Sequence, residues 1–249
     1  MGREVWKAGN MLYPLPAVMV SCARADERPN IITVAWAGTI CSSPALVSIS
    51  VKPERYSYGI IRETGEFVIN LTTKSLARAT DFCGVRSGRE VDKFQEAHLT
   101  AIPATSVQAP LIEESPVNIE CRVREVLELG SHHMFVAEVL CVDVDERYLD
   151  EKGKLHLNDA EPMVYSHGTY YALGESLGSF GYSVRRKPTQ RRTSHSDASG
   201  RTATRSDASM RNFAQNNAPD RGTKPKNVSR NTKKAKNKNA KMEQVFGSY

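Results

Sequence analysis

The chain has 249 residues, 40% of them hydrophobic and 25% charged, with a formal net charge of +6; that balance admits one or two domains and excludes collagen-like, coiled-coil and disulfide-scaffold classes. No apolar run approaches the roughly 20 residues a helix needs to cross a bilayer. Charge is unevenly divided: residues 1–187 hold 20 Lys and Arg against 24 Asp and Glu, whereas residues 188–249 hold 14 against 4, so the body is mildly acidic and has no electrostatic reason to bind nucleic acid.

Residues 12–24 open with Pro14 and Pro16 and continue as a short apolar strand. Asp26 to Asn30 is a polar turn, and Asn30 to Ala37 returns as a β-branched strand, which is a hairpin pattern. Gly38 to Pro44 reads as a loop of small residues, and Leu46 to Val51 as a third strand closed by Lys52 and Pro53. Tyr56 to Glu63 has the apolar spacing of a short helix, and Phe67 to Leu71 reads as a strand. Ser75 to Phe82 reads as a Ser-capped helix ended by Gly84 to Gly88, with another helical turn at Val91 to Ala97. Val117 to Leu129 alternates, Met134 to Val144 is apolar on both faces, and Gly130-Ser-His132 between them predicts a long hairpin. Gly168 to Gly181, rich in glycine and aromatics, reads as an irregular wrapping segment. Many short strands with few helices predict a closed or nearly closed β-barrel.

After Lys187 the character changes. Residues 188–249 are rich in Arg, Lys, Ser, Thr and Asn and bury too little to offset ordering entropy, so they read as a disordered basic low-complexity tail. The expected organisation is one domain over 1–187 and that tail over 188–249. The run Lys233-Lys-Ala-Lys-Asn-Lys238 gives a weak reason to consider nucleic acid as a partner of the tail. Five widely spaced cysteines without a CxxC pair argue against a disulfide framework and a zinc site. Cys41 in particular reads as a buried structural thiol. With no secretion signal at the start, a cytoplasmic location is the expectation.

No GxGxxG, GxxxxGK[ST] or HExxH string is present. What the residues do offer is a set of small polar groups at strand ends. Arg55, Tyr56 and Ser57 follow a strand and open a helix, and a guanidinium, a hydroxyl and helix N-terminal N–H groups together suit a phosphate monoester. The alternative is that Ser57 caps the helix and Arg55 is solvated. Asn70 at a strand end has the ordinary reading of a turn cap.

In order along the chain, Asn30 to Pro44, Val47 to Val51, Arg55-Tyr-Ser57, Gly65 to Leu71, Val91-Asp-Lys-Phe94, Pro116 to Cys121, Gly130-Ser-His-His-Met-Phe135 and Tyr170-Tyr-Ala-Leu-Gly174 resemble the flavin reductase-like family, and within it the flavoredoxin-like branch. The resemblance spans about residues 10–184 and implies a mainly β, Greek-key split β-barrel. It also implies FMN as cofactor, usually in a homodimer with FMN near the subunit interface. Carried onto this sequence, it names Asn30, Trp36 and Thr39 along the ring, Arg55 and Ser57 near the phosphate, Lys93 as a basic flavin contact and His132 as the family histidine. Tyr170 or Tyr171 would close the pocket. Against this stand ordinary readings: Trp36 as a core or interface aromatic, Lys93 as a solvated lysine, and His132 as an exposed loop residue. The function implied is an NAD(P)H-dependent flavin reductase, with NADH or NADPH as donor. An FMN electron carrier serving a redox partner protein is the first alternative, and a nucleic-acid-binding protein acting through the tail is the second.

Overall fold

A computed structural model describes residues 2–185; the expected tail, 188–249, lies outside the described residues. The first half of the fold runs β1 (Leu15–Pro16), β2 (Val18–Cys22), β3 (Asn30–Val34), β4 (Ala37–Ser42), β5 (Ala45–Val51), α1 (Tyr56–Thr64), β6 (Glu66–Leu71) and α2 (Ala77–Val85). It continues with α3 (Lys93–Glu96), β7 (Ala101–Ile102), β8 (Leu111–Ile112), β9 (Val117–Glu128), β10 (His133–Val144), β11 (Met163–Ser166) and β12 (Thr169–Ala172). No helix among the described residues is long and apolar enough to cross a membrane.

Seven strands form one antiparallel sheet in the order β3-β2-β6-β9-β10-β5-β4. Laid flat, it would span about 29 Å. Its outer strands β3 and β4 are nevertheless joined through Ala35 and Trp36 alone, a reach of about 11 Å when fully extended. The sheet must therefore curl until its edges nearly meet. The Ser50 N–H donates to the Trp36 carbonyl at 2.8 Å and fastens that crossover to β5. The outcome is the mainly β, Greek-key split barrel expected from the sequence.

Alternation explains the core. On β2, Val18, Val20 and Cys22 face the barrel interior, where they pack with Ile49, Phe67 and Phe135 and with Tyr58, Ile60 and Ile61 of α1. Met19 faces outward, where it packs with Ile31, Leu76, Cys83, Phe94 and Ile112 beneath α2 and α3. Both faces of β2 are thus covered, so all five of its residues are buried. Helix α1 ends at Gly65, whose φ of 69° is the left-handed conformation that glycine adopts without strain.

Four local expectations need correction. Gly38 to Ser42 is strand, because this stretch pairs with β5 from Ala37 opposite Ile49 to Ser42 opposite Ala45; small side chains hid a strand that has little of its own to bury. Ser75 caps no helix: its hydroxyl bonds Thr73 across a tight turn, and α2 starts at Ala77. Thr169–Ala172 is a regular strand paired with β11. Asn70 is a fully buried hub rather than a turn cap. Its amide donates to the Met19 carbonyl and the Ser21 hydroxyl, and it accepts from the Ile112 N–H and the Asn118 amide.

Candidate functional site

Two adjoining cavities open beside the β3–β4 crossover and share Ile32, Arg55 and Gly84 as lining. The larger holds about 550 Å³ and the smaller about 310 Å³. Arg55 therefore stands between them, at the N-cap of α1.

The smaller cavity is built by β3, the first turn of α1, the end of α2 with the 86–89 loop, and α3. Asn30 and Ser57 are both buried, and the Asn30 amide donates to the Ser57 hydroxyl at 2.7 Å. Ser57 is thus inside α1 and bonded to β3 rather than capping the helix, while Arg55 is exposed, as the alternative reading expected of it. Gly88 packs directly on Asn30; a Cβ at that position would stand 2.0 Å from Asn30 Oδ1. Lys93 is 3% exposed, and its Nζ donates to the carbonyls of Ile31 and Cys83, each at 2.7 Å. It is therefore not the solvated lysine that a short helix suggests. Burial pushes its pKa down to about 8. Arg86 and Arg89 also line the wall, with Glu54 the one acid. Arg89 lies over the Tyr56 ring and donates to the Glu54 carbonyl.

The larger cavity is aromatic. The ring of Trp36 meets that of His132 edge-on at 4.5 Å between centroids. Burial, then the Lys52 charge, hold His132 below its ordinary range, so its ring is neutral at pH 7. Tyr13, Tyr165 and Tyr170 line the same space. They are brought there by a small sheet in which β11 pairs with β1 and β12. Tyr165 packs at 5.6 Å from Tyr170 and 6.2 Å from Tyr13. Tyr170 lines the cavity while Tyr171 is 54% exposed and outside it.

Of the seven residues expected at a site, the structure gathers six. Asn30, Ser57 and Lys93 line the small cavity, Trp36 and His132 the large one, and Arg55 both. Thr39 lies exposed on β4 and lines neither. Cys41 is half-buried on the same strand, not buried. The sequence reading missed Tyr13, Tyr165, Gly88, Arg86 and Arg89, which approach from separate segments. A string with the letters of a nucleophile elbow, Gly174-Glu-Ser-Leu-Gly178, runs through an exposed segment after β12. It lacks the strand–turn–helix context that such a serine needs.

A split barrel with an aromatic cleft running into a cationic pocket defines a protein built to hold a planar, phosphorylated cofactor. The chain matches the flavin reductase like domain over residues 10–174 and belongs to that family. It is 32% identical over 176 residues to an uncharacterised protein of Archaeoglobus fulgidus, covering 71% of this chain and 97% of that one. Among solved structures it resembles the flavoredoxin of Desulfovibrio vulgaris (Miyazaki F), with 33% identity and a TM-score of 0.68 over 74% of this chain and 100% of that one. An FMN-binding protein from Thermus thermophilus with bound 1-cyclohex-2-enone is 25% identical, with a TM-score of 0.61 over 72% of this chain and 99% of that one.

The residues present fit FMN. The aromatic cleft suits a planar ring system. The buried Lys93 ammonium has no carboxylate within ion-pair distance among the described residues, and a buried charge calls for a counter-charge. A phosphate in the smaller cavity would provide it.

Proposed function

We propose that the chain is an FMN-dependent oxidoreductase acting as an NAD(P)H:flavin reductase. The observation that carries this reading is the junction at Arg55 of an aromatic cavity with a cationic one. Arg55, Ser57 and Lys93 would hold the phosphate, and the Trp36–His132 pair and Tyr170 would bound the ring. FMN, when bound, would supply the hydride- and electron-accepting centre, leaving the protein to position it and tune its electrostatics. Neutral His132 offers a hydrogen-bonding group at the ring edge without adding charge at pH 7.

A second reading, an FMN electron carrier that takes electrons from another protein, is supported by the likeness to a flavoredoxin. Anaerobic absorbance separates them. The protein is titrated with FMN and then mixed with NADH or NADPH. Prompt bleaching of the bound flavin is expected of the reductase; bound flavin that stays oxidised with both nucleotides would leave the carrier.

The same reading takes the protein as a homodimer. Strand β4 is largely exposed, and Ile40 on it is 49% exposed, an apolar edge suited to a second copy. Sedimentation of the wild type and of Ile40→Arg tests this: a dimer is expected for the first and monomer for the second, and a wild-type monomer would overturn it.

A further inference from the structure

Lys93 combines three properties that rarely coexist. It is buried, it lines a cavity, and no acidic side chain pairs with it among the described residues. An ammonium has three N–H donors, and two are used by the carbonyls of Ile31 and Cys83. Those carbonyls belong to β3 and α2, so Lys93 ties together the two elements between which the small cavity lies.

The surrounding charges leave Lys93 without compensation. Cys22 on β2 and Cys83 on α2 face it, and burial pushes their thiols up to about 12 and about 11, so neither is an anion near neutral pH. From the head of α1 comes Arg55, a second cation. Around the cavity wall are Arg86 and Arg89, with Glu54 the single acid. Glu54 already lies 3.8 Å from the Lys52 ammonium. On the helix of Lys93 itself, Asp92 accepts from the Gln95 N–H and approaches Arg28, and Glu96 is exposed. Without an anion beside it the proton on Lys93 is therefore weakly held. A dianion placed there reverses the balance.

We propose that Lys93 is a proton-coupled latch: occupation of the small cavity by a phosphate monoester draws one proton from solvent onto Nζ, and the charged Nζ in turn holds β3 and α2 closed about that anion. Lys93 is a positioning residue under this scheme, acting on the phosphate end rather than on the reacting ring. The inference rests on the reading that the flavin phosphate occupies this cavity. Its consequence is that FMN affinity falls with rising pH, approaching ten-fold per unit well above pH 8, while the affinity for riboflavin does not.

The test is calorimetric titration of the full chain with FMN and with riboflavin between pH 7 and 9. Each titration is run in two buffers of different ionisation enthalpy, which reports the protons taken up. A phosphate monoester is already a dianion over this range, since its second pKa is about 6, and riboflavin controls for any titration of the ring. Wild type is expected to take up a growing fraction of one proton per FMN as pH rises through 8, and none with riboflavin. Lys93→Arg, which keeps its charge throughout, is expected to bind FMN with no uptake and a flat pH profile. FMN binding with no proton uptake in wild type, or the same uptake in Lys93→Arg, would overturn the latch alone. Equal affinity for FMN and riboflavin at every pH would overturn the phosphate assignment on which it stands.

Discussion

At the scale of single residues, the small cavity depends on close approach rather than on many contacts. Gly88→Ala places a methyl group where Asn30 Oδ1 now lies. Asn30 must then move and release Ser57. FMN affinity is expected to fall at least about five-fold, given about 1–3 kcal/mol for an unmade buried hydrogen bond; an unchanged Kd in a flavin fluorescence titration would show that this packing does not shape the pocket. Lys93 also gives a stability signature without ligand. Its pKa drops from 10.5 to about 8 in the folded chain, so between those values the unfolded chain holds the proton that the folded chain has released. By linkage, stability rises with pH through that window. Relative to Lys93→Met, the ligand-free wild type should gain stability from pH 8 to 10 in urea titrations; a constant difference would place the folded pKa elsewhere. The sequence carried the identity of these groups better than their setting. Arg55-Tyr-Ser57 advertises an anion site by residue type alone, but nothing local to Lys93 says that its ammonium is buried. That follows from β3 and α2, 62 and 10 residues away by the bonds Lys93 makes.

At the scale of elements, the hairpin of β9 and β10 was legible because alternation and Gly130 coincide. The wall of tyrosines was not, because it depends on β1 pairing with β11, with Leu15 opposite Tyr165. No local pattern reports a partner about 150 residues away. Strand β4 escaped notice for a different reason: its pattern is nearly all exposed, and alternation is visible only where one face is buried. A buried carboxylate fixes the loop outside the long hairpin. Glu120 on β9 is 0% exposed and accepts from the backbone N–H groups of Thr105 and Ser106 at 2.7 and 2.5 Å. Burial and this neighbouring carboxylate hold Asp143 above its ordinary range. Glu120→Gln replaces one acceptor oxygen with a donor facing another donor, and should cost about 2 kcal/mol, read as a lower urea midpoint at unchanged m-value. Because β9 is the middle strand of the seven and Glu120 lines neither cavity, FMN affinity in this variant is expected to stay within two-fold of wild type, on the order of the tenths of a kcal/mol typical for distant sites.

At the scale of the whole molecule, the excess of cations around the small cavity predicts a salt dependence specific to the phosphate. FMN affinity should fall between 50 and 500 mM salt, as screening shortens from roughly 14 to 4 Å, while riboflavin affinity holds steady; parallel titrations of the two flavins check it. The two-residue passage from β3 to β4 also bears on how the molecule breathes. Since the outer edges of the sheet are joined by covalent backbone and the Ser50–Trp36 bond, not by a full ladder, the barrel has a seam, and the candidate site lies along it. Parting that seam locally breaks few hydrogen bonds, so the amides of β4 should exchange with deuterium sooner than those of β6 or β9 in the middle of the sheet. A molecule lodged in the larger cavity touches β3 at Ile32, the crossover at Trp36 and the end of β5 at Val51, and protection would then spread from the cavity along those strands. The ligand is in this sense the last stave of the barrel.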